Sequence, residues 1–123
     1  MITINQGDIV WVQYPFADSP EKYKYRPALV ISNIRVHQND HDVILLPVTS
    51  KLRNDDFSFM LDSGQLREGA LPKTSEVRCH KPATVRSNLV IDNLNKLNTD
   101  ALERILEKVK SALDTEANRP LFS

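Results

Sequence analysis

The stretch DIVWVQY at residues 8–14 is rich in β-branched and aromatic side chains and lies between Gly7 and Pro15. This composition between turn-forming residues predicts a β-strand. Two further runs, ALVIS at residues 28–32 and VILLPV at residues 43–48, are almost continuously apolar. Such runs are expected of strands that are buried on both faces.

Shorter strand candidates follow at residues 57–61, 76–80 and 83–85. Residues 17–24 are instead predicted to form an exposed loop, because they combine turn-forming residues with several charges. Residues 39–42 are polar and loop-like for the same reason. Closely spaced strands with one terminal helix favour a mainly β, barrel-like domain over a βαβ fold.

The one segment with helical periodicity lies near the end of the chain. Either Thr99 or Asp100 can cap this helix, and Asp100 with Glu103 fits an acidic capping box. We expect an amphipathic helix that packs on a small β core, and we assign it no chemistry. Its apolar face consists of Leu102, Ile105, Leu106, Val109 and Leu113.

The charge balance excludes a strongly basic protein. The 123 residues, enough for one domain, include 16 Lys and Arg and 16 Asp and Glu, so the formal net charge is zero. A nucleic-acid site would therefore depend on local clustering. Residues 73–86 hold four basic residues against one acidic residue, a local balance of +3, with Lys73, Arg78, Lys81 and Arg86 opposing Glu76.

A single cysteine, Cys79, excludes an intrachain disulfide and a Cys-rich metal site. The N-terminal segment MITINQGDIVWV lacks the pattern of a signal peptide. No apolar run approaches the ~20 residues that span a bilayer. These observations predict a soluble, cytoplasmic protein without a membrane partner.

General catalytic motifs are absent: the chain has no Gly-rich phosphate loop, no zinc pattern and no nucleophile elbow. His37 and His41, beside Asp40 and Asp42, invite a metal interpretation. That spacing aligns ligands only on a helix, and Asn39 followed by Asp40 argues against a helix there. A solvated loop and no metal site are therefore expected.

Polar residues instead interrupt the ends of the predicted strands. Arg26 stands at the start of one apolar run, and Thr49 and Ser50 follow another. Arg78 and His80 are two residues apart, so a strand would place them on one face. Each also has an ordinary explanation as a surface arginine, a strand-end cap or an exposed histidine.

Four segments together resemble the MazF/PemK/Kid family of bacterial toxin endoribonucleases. They are GDIVWVQYPF from Gly7, YRPALVIS from Tyr25, PVTS from Pro47 and SEVRCHKPATV from Ser75. The resemblance spans about residues 6–113, including the C-terminal helix. It implies an SH3-like small barrel and a homodimer, with residues 1–114 as the toxin domain and residues 115–123 as a tail.

The resemblance also implies an activity. Members of the family cleave single-stranded RNA at short sequences and leave a 2′,3′-cyclic phosphate and a 5′-hydroxyl. This chemistry needs a base for the 2′-proton, an acid for the leaving oxygen and cations for the phosphorane charge. It needs neither a metal nor another cofactor.

The resemblance implies catalytic roles for four residues. Arg26 matches the family's arginine before proline and would hold the phosphate, with Thr49 as its partner hydroxyl. Arg78 matches an arginine that acts as acid or charge stabiliser in Kid-like members. His80 stands where Kid-like relatives carry an aspartate proposed as the base, so it is either the base or a neutral replacement.

Other residues are candidates for RNA contact. Glu21 lies five positions before Arg26, as does a glutamate proposed as base in MazF-like members. Tyr23 or Tyr25 could stack an unpaired base. Cys79 is expected to pack rather than react. The full RNA-binding set predicted is Glu21, Tyr23, Tyr25, Ser50, Ser75 and Lys81.

Partners and alternative functions also follow from the resemblance. Family members are neutralised by an antitoxin whose flexible acidic segment covers the active groove. Because His80 replaces an aspartate, one alternative is a catalytically impaired module that binds RNA without cutting it. A second is a gyrase inhibitor like the related CcdB family, which Phe122 in the tail keeps open.

Overall fold

A computed structural model describes residues 3–16, 19–115 and 120–122, with the backbone alone for residues 15–16 and 19–23. This part of the chain contains seven strands and two α-helices. The strands are β1 (Asp8–Phe16), β2 (Ser19–Val30), β3 (Asp42–Thr49), β4 (Ser58–Leu61), β5 (Ser75–Arg78), β6 (Ala83–Arg86) and β7 (Val90–Lys96). The helices are α1 (Ile34–Asp40) and α2 (Thr99–Ala112).

All seven strands join one antiparallel sheet in the order β4-β5-β3-β2-β1-β7, with β6 paired to β3 outside this path. Leu45 pairs with Val30 on β2 and with Ala83 on β6, so these two strands lie on opposite edges of β3. Farther along β3, Val48 and Thr49 pair with β5. The predicted mainly β fold with a C-terminal helix is confirmed.

The apolar strands separate two core clusters on opposite sheet faces. Neighbouring residues divide between them, as alternation along a strand requires. Leu29 and Leu46 belong to the cluster that also takes up Ile105 from α2. Val30 and Leu45 belong to the second cluster. Continuous apolar runs in β2 and β3 thus mean burial on both faces, as predicted.

Helix α1 contradicts the predicted loop. The Asn33 side chain accepts a hydrogen bond from the Arg35 N–H at 3.0 Å, which caps the helix start. His41 adopts a left-handed conformation at φ 58° and donates its N–H to the His37 carbonyl at 2.8 Å. No residue of α1 is buried, so its sequence lacks the helical spacing of apolar residues that would have predicted it.

The β1–β2 hairpin is longer than predicted. Strand β2 begins at Ser19, where a loop was expected, and pairing continues as far as Phe16 opposite Ser19. A register shift between Pro15 and Phe16 accommodates the turn-forming residues. Pairing with β1 therefore overrides local turn preference.

Three smaller differences concern the second half of the chain. Strand β5 ends at Arg78, so Cys79 and His80 lie in a turn and not in the predicted strand. Strand β7 was not predicted, because its sequence VIDNLNK lacks an apolar run, yet it pairs with β1. Leu113, predicted on the apolar face of α2, follows the helix end and is 72% exposed.

The cap of α2 also differs from the prediction. Asn98, and neither Thr99 nor Asp100, is the N-cap, and its side-chain oxygen accepts from the Ala101 N–H at 2.8 Å. Helix ends have N–H groups without intrahelical partners, and a capping side chain satisfies one of them.

Replacing the cap should weaken α2 and, through Ile105, the core. We expect Asn98→Ala to lower the free energy of unfolding by about 1 kcal/mol, measured by urea denaturation. The exposed Thr99 provides the matched control, and Thr99→Ala should cost at most a few tenths of a kcal/mol. Equal losses in the two variants would contradict this assignment of the cap.

Candidate active site

Three polar residues lie on one face of three neighbouring strands. Ala28 on β2 pairs with Pro47 on β3, and Arg26 and Thr49 are each two residues farther in the same direction. Because alternate residues share a face, Arg26 and Thr49 lie on the face of Ala28 and Pro47, each two residues beyond the last β2–β3 pair. Thr49 then pairs with Glu76 on β5. We call Arg26, Thr49 and Glu76 the polar row.

Thr49 ends β3 and presents its hydroxyl at the start of a loop. Its oxygen accepts a hydrogen bond from the Lys51 N–H at 3.0 Å. This contact leaves the hydroxyl proton able to donate to a ligand. Thr49 is half-buried, and the following Ser50, a predicted RNA contact, is exposed.

Arg26 is half-buried on β2. It pairs with Val12, which puts Tyr14 and Lys24 on the same face, one step farther along the hairpin. Burial raises the pKa of Tyr14, and the nearby charge of Arg26 opposes that rise. Among the residues whose side chains the structure describes, the buried hydroxyl of Tyr14 has no hydrogen-bond partner. Arg26 and the exposed Lys24 therefore place two cations on the same face of the β1–β2 hairpin, two residues apart.

Glu76 is a fully buried carboxylate with four hydrogen bonds. One oxygen accepts from the backbone N–H groups of Arg53 at 2.8 Å and Asn54 at 3.1 Å. The other accepts from the Ser58 hydroxyl and the Arg78 guanidinium, both at 2.6 Å. Burial raises the pKa of Glu76, but hydrogen bonds from Ser58, Arg78 and the two N–H groups outweigh it and lower that pKa to about 2.

Arg78 has its guanidinium committed to carboxylates. Besides Glu76, it bonds both oxygens of Asp55, at 2.8 Å from Nη2 and 3.2 Å from Nη1, and donates to Ser58 at 2.8 Å. The pKa of Asp55 is lowered, first by the hydrogen bond from Arg78. Asp55, Ser58, Glu76 and Arg78 form what we call the Glu76 cluster, whose charges sum to −1. This differs from a guanidinium open to phosphate, which the sequence predicted.

His80 lies beyond the end of β5. It is exposed in the turn after β5, with its ring centroid 5.3 Å from that of Phe57. Glu76 is level with Thr49, and four residues of strand would separate His80 from that level by about 13 Å at most. The predicted strand does not reach His80: β5 ends at Arg78, so strand alternation no longer places Arg78 and His80 on one face.

The remaining predicted RNA contacts fall into three groups. Tyr25 and Lys81 are exposed, and Tyr25 lies on the sheet face opposite to Arg26. Ser75 is buried and donates its hydroxyl to the Lys73 carbonyl at 2.9 Å, so its predicted RNA contact does not fit. The side chains of Glu21 and Tyr23 lie outside the described residues.

Cys79 is buried in the first core cluster, as expected of a packing residue, and burial raises the pKa of its thiol to about 11. The rings of His37 and His41 are 5.3 Å apart. Across the ranges that the structure describes, no group of three or more His, Cys, Asp or Glu could hold a metal. In the same ranges, no helix is long and apolar enough to span a membrane.

Sequence reasoning missed Glu76, Ser58 and Asp55 as parts of the site. One signal was present: Glu76 and Arg78 are two residues apart in a strand candidate, so opposite charges share one face. The contribution of Asp55 and Ser58 had no such signal, because these residues are 23 and 20 positions from Arg78.

Comparisons with known proteins agree with this fold. The family model described as "PemK-like, MazF-like toxin of type II toxin-antitoxin system" matches residues 5–113. MazF from Deinococcus radiodurans superposes with a TM-score of 0.74 at 21% identity, covering 92% of this chain and 98% of that one. No curated protein sequence matches the chain.

Two mycobacterial structures are also similar. An endoribonuclease in complex with its cognate antitoxin, from Mycobacterial species, has a TM-score of 0.72 at 17% identity over 90% of this chain and 95% of that one. The Mycobacterium tuberculosis toxin MazF-mt6 has a TM-score of 0.68 at 20% identity, covering 87% of this chain and 96% of that one. At these identities the likeness shows the fold, and the predicted MazF-like fold is confirmed.

The lowered pKa of Glu76 makes the free energy of unfolding depend on pH. Because its pKa is about 2 when folded and near 4.5 otherwise, its contribution is complete above about pH 4.5 and is lost as the pH falls toward 2. Glu76→Gln should lower the free energy of unfolding at pH 7 by about 2–3 kcal/mol and flatten this acid decline.

Urea denaturation between pH 7 and pH 2 measures this effect. Glu103→Gln on the exposed side of α2 is the matched control and should follow the wild-type curve. An unchanged acid decline in Glu76→Gln would show that Glu76 is not the group responsible.

Proposed function

We propose a function from one premise, which is that the chain belongs to the PemK-like, MazF-like toxin family of type II toxin–antitoxin systems. This family is known for endoribonucleases. We propose that the protein cuts single-stranded RNA at short sequences without a metal ion. The ribose 2′-hydroxyl would attack the adjacent phosphodiester and leave a 2′,3′-cyclic phosphate and a 5′-hydroxyl.

The observation that carries this proposal is the placement of Arg26 and Thr49 on one sheet face, each two residues beyond the Ala28–Pro47 pair that joins β2 and β3. In the reaction a bond forms between the 2′-oxygen and phosphorus, while the bond from phosphorus to the 5′-oxygen breaks. Negative charge grows on the two non-bridging oxygens. A planar guanidinium suits two such oxygens, and a hydroxyl can donate to one of them.

Proton transfer needs two further groups. A base takes the 2′-proton, and an acid returns one to the 5′-oxygen. His80 and Glu21 are the candidates for the base. His80 would serve only if the RNA extends from the polar row past the end of β5 toward Phe57. His80→Ala at full activity would remove it from the mechanism.

RNA binding would use exposed cations and aromatic rings. Lys24, Lys51 and Lys81 are exposed cations that can hold backbone phosphates. On the other face of the hairpin, Tyr25 is 50% exposed and Trp11 is 36% exposed. Aromatic surfaces of this kind stack unpaired bases.

We also propose protein partners. MazF from D. radiodurans was also solved with MazE, and a mycobacterial endoribonuclease was solved with its cognate antitoxin. An antitoxin with a flexible acidic segment would compete with RNA for the cations of this chain. An acidic peptide that binds without displacing RNA would argue against this competition.

A homodimer in the cytoplasm is proposed from the same resemblance. A groove of about 1090 Å³ between the N-terminal segment, α1 and β7 is lined by apolar residues such as Ile4, Ile34 and Ile91, which a second copy could cover. Analytical ultracentrifugation distinguishes a dimer from the 14.0 kDa monomer.

The direct test is RNA cleavage by purified protein in EDTA, with the ends mapped. We expect cuts at short sequences, with cyclic phosphate and 5′-hydroxyl ends. A 2′-deoxy nucleotide at the cut site should block cleavage there, because the nucleophile is missing. RNA that is bound but left intact would favour the catalytically impaired module. Gyrase trapping with intact RNA would favour the CcdB-like alternative.

The role of Arg26 can be tested within the same assay. Arg26→Ala should slow cleavage by about 10²–10³-fold, because the phosphorane loses its charge partner. Arg26→Lys keeps the charge without the planar fork and should recover only part of the rate. Arg35→Ala on the exposed side of α1 is the matched control. Melting temperatures verify folding, and an active, folded Arg26→Ala variant would refute this role.

A further inference from the structure

The loop between β3 and β4, residues 50–57, is held by side chains from other strands. Its backbone N–H groups at Arg53 and Asn54 donate to Glu76, at 2.8 and 3.1 Å. Asn54 has a positive φ of 50°, which asparagine tolerates better than most residues. The Asp55 side chain also accepts from the Phe57 N–H at 3.0 Å. A buried side chain therefore fixes the middle of this exposed loop.

Charge argues against a phosphate at the Glu76 cluster. The Arg78 side chain is only 9% exposed and meets one fully buried carboxylate and a second that is 46% exposed. Two carboxylates around one guanidinium give a net charge of −1, which repels a phosphodiester. A phosphate ligand would have to displace Asp55 and still face Glu76.

The geometry points to Glu76 as a positioning residue, with Arg78 as its counter-ion and not as a ligand of the scissile phosphate. This inference rests on the proposed function and deepens it. Glu76 acts through Thr49, which is its partner in the β3–β5 register and stands at the start of the loop that Glu76 holds.

The connection runs through the loop backbone. The Thr49 oxygen accepts from the Lys51 N–H, two residues before the loop N–H groups that Glu76 holds. If those N–H groups lose their acceptor, the loop can shift and take the Thr49 hydroxyl with it. Misplacing a reacting group by about 1 Å can cost about 10²-fold in rate.

A matched pair of double variants separates positioning from phosphate binding. Glu76→Gln/Arg78→Met and Glu76→Leu/Arg78→Met both remove the buried charges, and such replacements of buried ion pairs often fold well. Only the glutamine variant keeps an oxygen acceptor for the N–H groups of Arg53 and Asn54.

The expected results differ sharply. Glu76→Gln/Arg78→Met should keep kcat within about threefold of wild type, and Glu76→Leu/Arg78→Met should lose about tenfold or more in kcat with little change in KM. If the glutamine variant is folded yet cleaves about 100-fold more slowly, Arg78 contacts the substrate and the inference is overturned. Equal kcat values in both folded variants would overturn the role of Glu76.

Hydrogen exchange provides a readout independent of RNA. The amides of Arg53 and Asn54 should be protected in wild type and in the glutamine variant, and should exchange faster in the leucine variant. Unprotected wild-type amides would overturn the inference. If wild type cleaves no RNA but protects these amides, the proposed function fails and the positioning contact stands.

Asp55→Asn covers the case in which the double variants do not fold, because Asp55 is nearly half exposed. This substitution removes the negative charge that Asp55 places beside the solvent-facing side of the Arg78 guanidinium. If Arg78 is a counter-ion, we expect KM to stay within about twofold and kcat not to rise. A KM that falls about fivefold or more would mean that the released guanidinium binds RNA, and would overturn the inference.

Discussion

The pairing of the buried Glu76 carboxylate with the Arg78 guanidinium, at 2.6 Å, is the contact on which the candidate site depends. An ionised carboxylate that is fully removed from water is costly unless hydrogen bonds and a counter-charge compensate it. Here Arg78, the Ser58 hydroxyl and two backbone N–H groups do so. The same four contacts join β4, β5 and the loop after Thr49, so one buried charge organises three segments.

This contact divides the two predicted arginines into different roles. Both arginines lie on one side of the sheet, and the family resemblance implies phosphate binding for Arg26 and a role as acid or charge stabiliser for Arg78. Arg26 lies on the same face as Thr49 and the exposed Lys24. The Arg78 guanidinium lies between two carboxylates. Catalysis by charge stabilisation needs a cation whose field reaches the phosphate. Two adjacent carboxylates largely cancel that field at Arg78.

The sequence predicts what depends on local pattern. Apolar runs identify most of β1 and β3 and the end of β2, and three- to four-residue spacing identifies α2. It does not predict α1, whose residues are all at least partly exposed. It also misses β7, because pairing with β1 holds that strand in place of apolar burial. Local pattern therefore gives the fold class but not every element.

The site shows the same limit. Arg26 and Thr49 can be selected from motif position, and the register then places both on one face, two residues beyond the last β2–β3 pair. The state of Arg78 depends on Asp55, which is 23 residues away and joins the cluster only after the loop has folded. Contacts between side chains this far apart in sequence form only in the tertiary structure, so they cannot be predicted from one sequence.

The most direct test of the whole account is a crystal structure of the protein with an RNA oligonucleotide whose 2′-hydroxyls are methylated, so that it binds without being cut. We expect the phosphate at the cut site to lie within hydrogen-bond distance of the Arg26 guanidinium and the Thr49 hydroxyl, with Arg78 still bonded to Glu76 and Asp55. A phosphate that replaces Asp55 on Arg78, with none beside Arg26, would contradict the account.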